Sequence, residues 1–217
     1  SSDLDIDPQA LAELEADGIV RPVRVGHTAK FTHDIFFEWA FLQHLIRQEE
    51  EWVRAVRDVG EPPALGRVVE LLSQAELASP QTWGKYLVQL ESDLTLRSQW
   101  LRAWMTGPFS LENFEEHAAT VDALLLQESA SRVGKLVVWY QAEKTRPNSN
   151  ILAVTDSNFD ATTRLRYADL LGWPADVPAW RRFCTWLLDH AAELPTSIIP
   201  DVVAAFGVWQ NLASQVR

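Results

Sequence analysis

The residues able to do chemistry are few and scattered. Five histidines, His27, His33, His44, His117 and His190, stand far apart, and one cysteine, Cys184, excludes an intramolecular disulfide and a multi-thiolate zinc site. His190 with Glu193, and Glu115 and Glu116 with His117, form acid–imidazole pairs of a kind common on solvated helix faces. Glu91 and Asp93 have the residue types of a two-carboxylate glycosidase but no distinguishing spacing. No Gly-rich phosphate loop, G-x-G-x-x-G, H-E-x-x-H, C-x-x-C or G-x-S-x-G occurs. Read alone, the sequence is that of a non-enzyme without metal ligands. One stretch stands apart: Thr32-His33-Asp34 is a polar mouth on the apolar run Ile35 to Ile46.

That mouth opens a helix on which the chain should be organised. Asp34 supplies an acceptor and a negative charge at the helix N-terminus. Behind it, Ile35, Trp39, Leu42 and Ile46 form one apolar stripe, and Phe37, Phe41 and Leu45 form a second. Two stripes predict a helix covered from two directions. Ahead of it, Asp7-Pro8 opens a first helix, with Ala10, Leu11 and Leu14 as its stripe and Gly18 as its stop. Ile19–Val25 and Ala29–Thr32 flank Gly26-His27-Thr28 and predict a hairpin, with Pro22 on an edge strand.

From Glu49 onward the pattern is helical. The expected inward residues are Trp52, Val53, Val56 and Val59; Leu65, Val68, Val69, Leu72 and Ala75 after Pro62-Pro63; and Trp83, Tyr86, Leu87 and Leu90 after Ser79-Pro80. Asp93 is expected to cap a helix with Leu96, Trp100, Leu101 and Trp104, stopped at Gly107-Pro108. Ser110 begins the next, with Leu111 and Phe114, then Val121, Leu124 and Leu125. Val133, Leu136, Val137 and Tyr140 follow Ser129. Residues 146–150 are the clearest loop, Ile151–Val154 reads as a helical turn or a strand, and 155–160 is a polar connector. Asp160 and Asp176 cap helices carrying Leu165, Leu170 and Leu171, and Trp180, Phe183, Trp186 and Leu187. The last helix runs from about Thr196 to Ser214, with Pro200 at its first turn. Helix starts recur every 14 to 19 residues or so, which at two helices per repeat approaches the period of helical solenoids. The fold class is mainly α: an irregular α-solenoid, HEAT- or armadillo-like, with a closed bundle as the competing architecture.

Composition narrows the partners. At 217 residues, 47% hydrophobic, the chain has an ordinary globular make-up. A net charge of −11 disfavours nucleic acid, which draws affinity from Lys and Arg, although Arg132, Lys135, Lys144 and Arg146, or Arg181 and Arg182, can form a local patch. Arg21, Arg24 and Lys30 would be the contacts if the hairpin met DNA. No apolar run approaches the ~20 residues of a membrane span, and the N-terminus lacks signal-peptide character, so a cytoplasmic setting is expected. Ten tryptophans serve either an aromatic groove for a peptide or sugar or, given their even scatter, helix packing.

Lys30-Phe31-Thr32-His33-Asp34-Ile35, after a hairpin and opening an apolar helix, resembles the winged-helix end of STAND-type signalling NTPases, the NACHT and NB-ARC families. There a hydrophobic-x-His-Asp signature precedes a helix, and Leu14-Glu15-Ala16-Asp17-Gly18-Ile19-Val20 is similar to the L-x-x-x-G-I-V run before the hairpin. The likeness covers about 35 to 40 residues. It implies a winged-helix remnant over 1–48 (helix, hairpin, central helix), with Leu11, Leu14 and Ile19 inward and Glu15 exposed. Residues 49–217 would then be a helical-repeat sensor domain. It also implies that His33 touches the β-phosphate of ADP in a larger protein whose NTPase domain precedes this chain, with Asp34 holding the helix start. No cofactor is expected within this stretch itself. Its partner would be a protein or other trigger on the repeats; a free-standing protein-binding scaffold is the alternative.

Overall fold

The computed structural model describes residues 7–24, 28–126, 130–153 and 160–213. Over these residues the protein is mainly helical, with twelve α-helices, short 3-10 turns and two antiparallel two-stranded sheets. The hairpin turn at Gly26-His27, the start at Ser129, Val154, the connector 155–159 and the end at Ser214 lie outside the described residues. By compactness the chain separates into Ser1–Leu72 and Ser73–Arg217, and the division falls within one helix.

The first unit begins with α1 (Pro8–Ala16). Asp7 caps it, its carboxylate accepting from the Gln9 amide at 2.9 Å, and Pro8 occupies the position whose missing N–H is not needed. At the other end Gly18 takes φ +72°, a left-handed turn that a side chain resists, and the Ile19 amide reaches back to the Leu14 carbonyl at 2.9 Å. The chain then enters β1 (Val20–Arg24), paired with β2 (Thr28–Phe31) so that Val20 faces Phe31 and Arg21 faces Lys30. The register breaks between Pro22 and Arg24, as an edge proline without an N–H allows. Thr32 ties the hairpin end to the α1 stop: its amide donates to the Ile19 carbonyl at 2.9 Å and its hydroxyl to the Gly18 carbonyl at 2.6 Å. Leu14, expected inward, is exposed. Its carbonyl rather than its side chain is what the L-x-x-x-G-I-V run uses here, and no α1 residue is buried.

α2 (Asp34–Arg47) departs from expectation more sharply. Leu45 is buried, and Phe37 and Phe41 are half-buried, with Phe37 meeting Phe31 of β2 at 6.1 Å. On the other stripe Ile35 is 68% exposed and Trp39 64%, and Ile46 is also exposed. The predicted burial from two directions is therefore absent within this unit, where β2 and α3 (Trp52–Asp58) are the neighbours of α2. Periodicity reports that a face is apolar, not that this chain covers it. Trp52, Val53 and Val56 of α3 are buried as expected; Val59 is exposed because the helix ends at Asp58 and Gly60, at φ +84°, turns the chain away. Leu65, at the end of the 3-10 turn Pro63–Leu65, and Val68, Val69 and Leu72 of α4 (Gly66–Glu76) are buried.

The second unit holds α5 (Pro80–Ser92), α6 (Ser98–Thr106), α7 (Ala118–Leu125), α8 (Ala130–Lys144), α9 (Ser149–Ala153), α10 (Ala161–Leu170), α11 (Val177–Asp189) and α12 (Ile199–Ala213). α6 packs on α5 and α8, α8 on α12, and α11 on α12 and on the 3-10 turn Gly107–Ser110. Aromatic rings fill the centre: Tyr140 stacks on Phe183 at 3.9 Å between centroids, and Phe109 meets Phe183 at 5.1 Å and Trp186 at 5.5 Å. Trp83, Trp100, Trp104, Trp180 and Trp186 are all buried, so these tryptophans serve packing. Buried Ser73 is satisfied on both sides, donating to the Trp104 carbonyl at 2.7 Å and accepting from Trp83 Nε1 at 2.9 Å.

Several local expectations change in this unit. Asp93 ends α5 instead of capping α6, its carboxylate turning the chain by accepting from the Thr95 amide at 3.0 Å. No α-helix begins at Ser110; the Gly107-Pro108 stretch and Phe114–Glu116 form 3-10 turns, and α7 starts at Ala118. Asp160 and Asp176 do cap α10 and α11, at 2.7 Å to Thr163 and 2.9 Å to Ala179. Yet Leu165, Leu170 and Leu171 are exposed, and Ala168 is the residue α10 buries. The 146–150 loop is tied down: β3 (Thr145–Arg146) pairs with β4 (Trp173–Pro174), and buried Asn148 donates to the carbonyls of Ala168 and Leu171. Ile151 to Ala153 are helical, within α9.

Candidate functional site

His33 sits where β2 gives way to α2. Its backbone is extended (φ −133°, ψ 146°) at the helix cap position, and its carbonyl accepts from the Phe36 amide at 3.1 Å. Its side chain makes no capping bond, is exposed, and lies beside the Phe36 ring at 5.8 Å. Asp34, expected as the cap acceptor, is the first helical residue, so its charge favours the helix end without closing it. The first amides of this 14-residue helix thus receive no capping bond from the His33 side chain, whose imidazole stands next to them. Helix amides and an imidazole N–H together are a reasonable anion contact. Arg21 and Lys30, opposite each other on the hairpin, are exposed.

The basic patch read from the sequence is not assembled as expected. Arg132 is buried: its guanidinium makes bonds of 2.6 to 3.1 Å with Glu91 and one of 2.7 Å to the Leu124 carbonyl. Glu91 is thereby a structural partner and is separated in role from Asp93.

The second unit instead builds a cleft of about 440 Å³ between residues 112–122 and one face of α11. Two rows of α11 line it, Arg181–Thr185–Asp189 and Arg182–Trp186–His190, each at helical steps of four. Buried Phe114 and Trp186 contribute its apolar lining. Asp122 Oδ1 accepts from Trp186 Nε1 at 2.7 Å and lies 3.1 Å from His190 Nε2, while His190 Nδ1 is 2.9 Å from Glu193. Both imidazole nitrogens thus face a carboxylate. Arg182 Nε donates to the Phe109 carbonyl at 2.8 Å. Among the described residues, the side chains of Arg181, Asp189, Glu112 and Glu115 line the cleft without an ion pair or hydrogen bond. The sequence named His190, Glu193, Glu115 and the arginine pair separately; it did not bring them together and missed Asp122. The signal was present in the two four-residue rows of α11.

Among the described residues no three His, Cys, Asp or Glu converge in a way that could hold a metal, and no helix is long and apolar enough to cross a membrane. Cys184 is buried, and burial pushes its thiol up to about 12, far from nucleophilic readiness. No family model, curated protein or solved structure matches this chain.

Proposed function

We propose that this chain is a non-catalytic regulatory region of a STAND-type NTPase. Residues 1–48 form the end of its winged helix, and residues 49–217 an irregular, HEAT-like stack of helical repeats. On this reading the α8–α12 contact folds the last repeats onto earlier ones. His33 contributes to holding the phosphate of ADP bound to a nucleotide domain elsewhere in the same polypeptide, and a protein trigger engages the helices. Binding the trigger shifts the balance between closed and open arrangements by its differential affinity for the two. The setting is cytoplasmic.

The observation that supports this most is the state of His33. The His33 imidazole neither caps α2 nor is buried, which leaves it accessible to a ligand. The exposed Ile35–Trp39–Ile46 stripe beside it is consistent with a helix that meets further protein. A free-standing protein-binding scaffold would use the 112–122/α11 cleft equally well, and the two readings part at His33. Purified 1–217 is expected to hydrolyse no ATP; turnover that co-purifies with the folded chain would sink the regulatory assignment.

A further inference from the structure

The charges that α11 itself brings to the cleft are of opposite sign at its two ends. Arg181 and Arg182 stand towards one end, and Asp189, with the free Oδ2 of Asp122 beside the His190 contact, towards the other. Eight residues of helix separate Arg181 from Asp189, about 12 Å at the helical rise. Asp189 also occupies the last turn of α11, where the helix dipole disfavours a carboxylate, and no basic residue shares that turn. Phe114 and Trp186 supply apolar surface to the same cleft.

In an extended peptide, alternate side chains point to one face and positions i and i+4 lie about 13 Å apart. That span matches the separation of positions 181 and 189 along α11. We propose that this cleft binds an extended peptide segment of a partner protein carrying an acidic, an apolar and a basic residue at alternate positions, in either chain direction. The acidic residue meets Arg181 and Arg182, the apolar residue covers Trp186 and Phe114, and the basic residue meets Asp189 and Asp122. The lining holds four carboxylates, Glu112, Glu115, Asp122 and Asp189, against two guanidinia and one imidazole. The basic residue is therefore the stronger anchor, and phosphate-rich ligands are disfavoured.

This assignment rests on the reading of residues 49–217 as a recognition region. It fails separately from the role of His33, because peptide binding reports on α11 and nucleotide release on α2. The test titrates the full chain with two fluorescein-labelled seven-residue peptides, Ala-Glu-Ala-Phe-Ala-Lys-Ala and the diacidic Ala-Glu-Ala-Phe-Ala-Glu-Ala, read by fluorescence anisotropy at low salt. The unmodified protein should prefer the first by about tenfold. Asp189→Arg reverses one exposed charge and should invert the preference. Equal affinity for both peptides, binding of neither at millimolar concentration, or a folded Asp189→Arg variant with unchanged preference overturns the proposal. The comparison of the two peptides on unmodified protein decides the matter even if the variant does not fold.

Discussion

Replacing Arg132 with Met should lower stability by about 3 kcal/mol, because one guanidinium clasps three helices. It joins α8 to Glu91 of α5 through contacts of 2.6, 3.0 and 3.1 Å and to the Leu124 carbonyl of α7 at 2.7 Å. Methionine fills much of the space and makes none of these bonds, leaving Glu91 charged and unpaired. Breaking a buried pair this way costs about 3 to 5 kcal/mol. The Glu91 side chain keeps 21% of its exposure against 9% for Arg132, so water recovers part of the loss and the lower end applies. For a chain of this length that is roughly a 6 to 12 °C fall in melting temperature. Arg132→Lys keeps the charge but not the fork and should lose about half as much. Glu91→Gln added to Arg132→Met should cost less than the two singles summed, by about 1 to 2 kcal/mol. Circular dichroism melts and urea titrations of the four proteins supply the cycle. A fall under about 2 °C for Arg132→Met, or strict additivity with Glu91→Gln, would refute the clasp.

Two further outcomes follow from the same packing. A Cβ on Gly172 would lie 2.7 Å from Thr145 Cγ2 and 3.0 Å from the Asp169 carbonyl, so Gly172→Ala should destabilise by about 1 to 3 kcal/mol in a urea titration; a neutral change would contradict the tight β3–β4 strap. Cys184 should resist aromatic disulfide reagents until the protein unfolds. Because burial raises its thiol from 9.0 to about 12, the folded state holds the proton longer than the unfolded state does. Its contribution is complete below pH 9 and is lost as pH rises towards 12, so Cys184→Ser should flatten part of the alkaline fall in melting temperature.

What the sequence made legible was local chemistry. Asp7-Pro8, Asp160 and Asp176 announced helix starts because a carboxylate at the cap position has one productive geometry. The four-residue steps of Trp83, Tyr86, Leu87 and Leu90, and of Trp180, Phe183 and Leu187, marked faces that are buried. The same reasoning failed for Ile35 and Trp39, and for Leu165 and Leu170, since an apolar face says nothing about what lies over it. It also failed at Asp93 and Ser110, where short turns break the rhythm of the helices and leave only a compositional trace. The cleft was the least legible feature, because Asp122 and His190 stand on elements far apart in the sequence and only the fold joins them. His33 was found from its motif; that its side chain neither caps nor buries itself needed the backbone geometry.

The central claim is that His33 senses nucleotide held by another module of the same protein. The most direct measurement is release of fluorescent ADP from the full polypeptide, followed after mixing with excess unlabelled ADP, for the unmodified protein and for His33→Ala. Loss of one phosphate hydrogen bond is worth about 1 to 2 kcal/mol, so release should quicken roughly 5- to 30-fold while the melt of the isolated 1–217 chain stays unchanged. An unchanged release rate would remove His33 from the nucleotide site and leave the helical region as a scaffold alone.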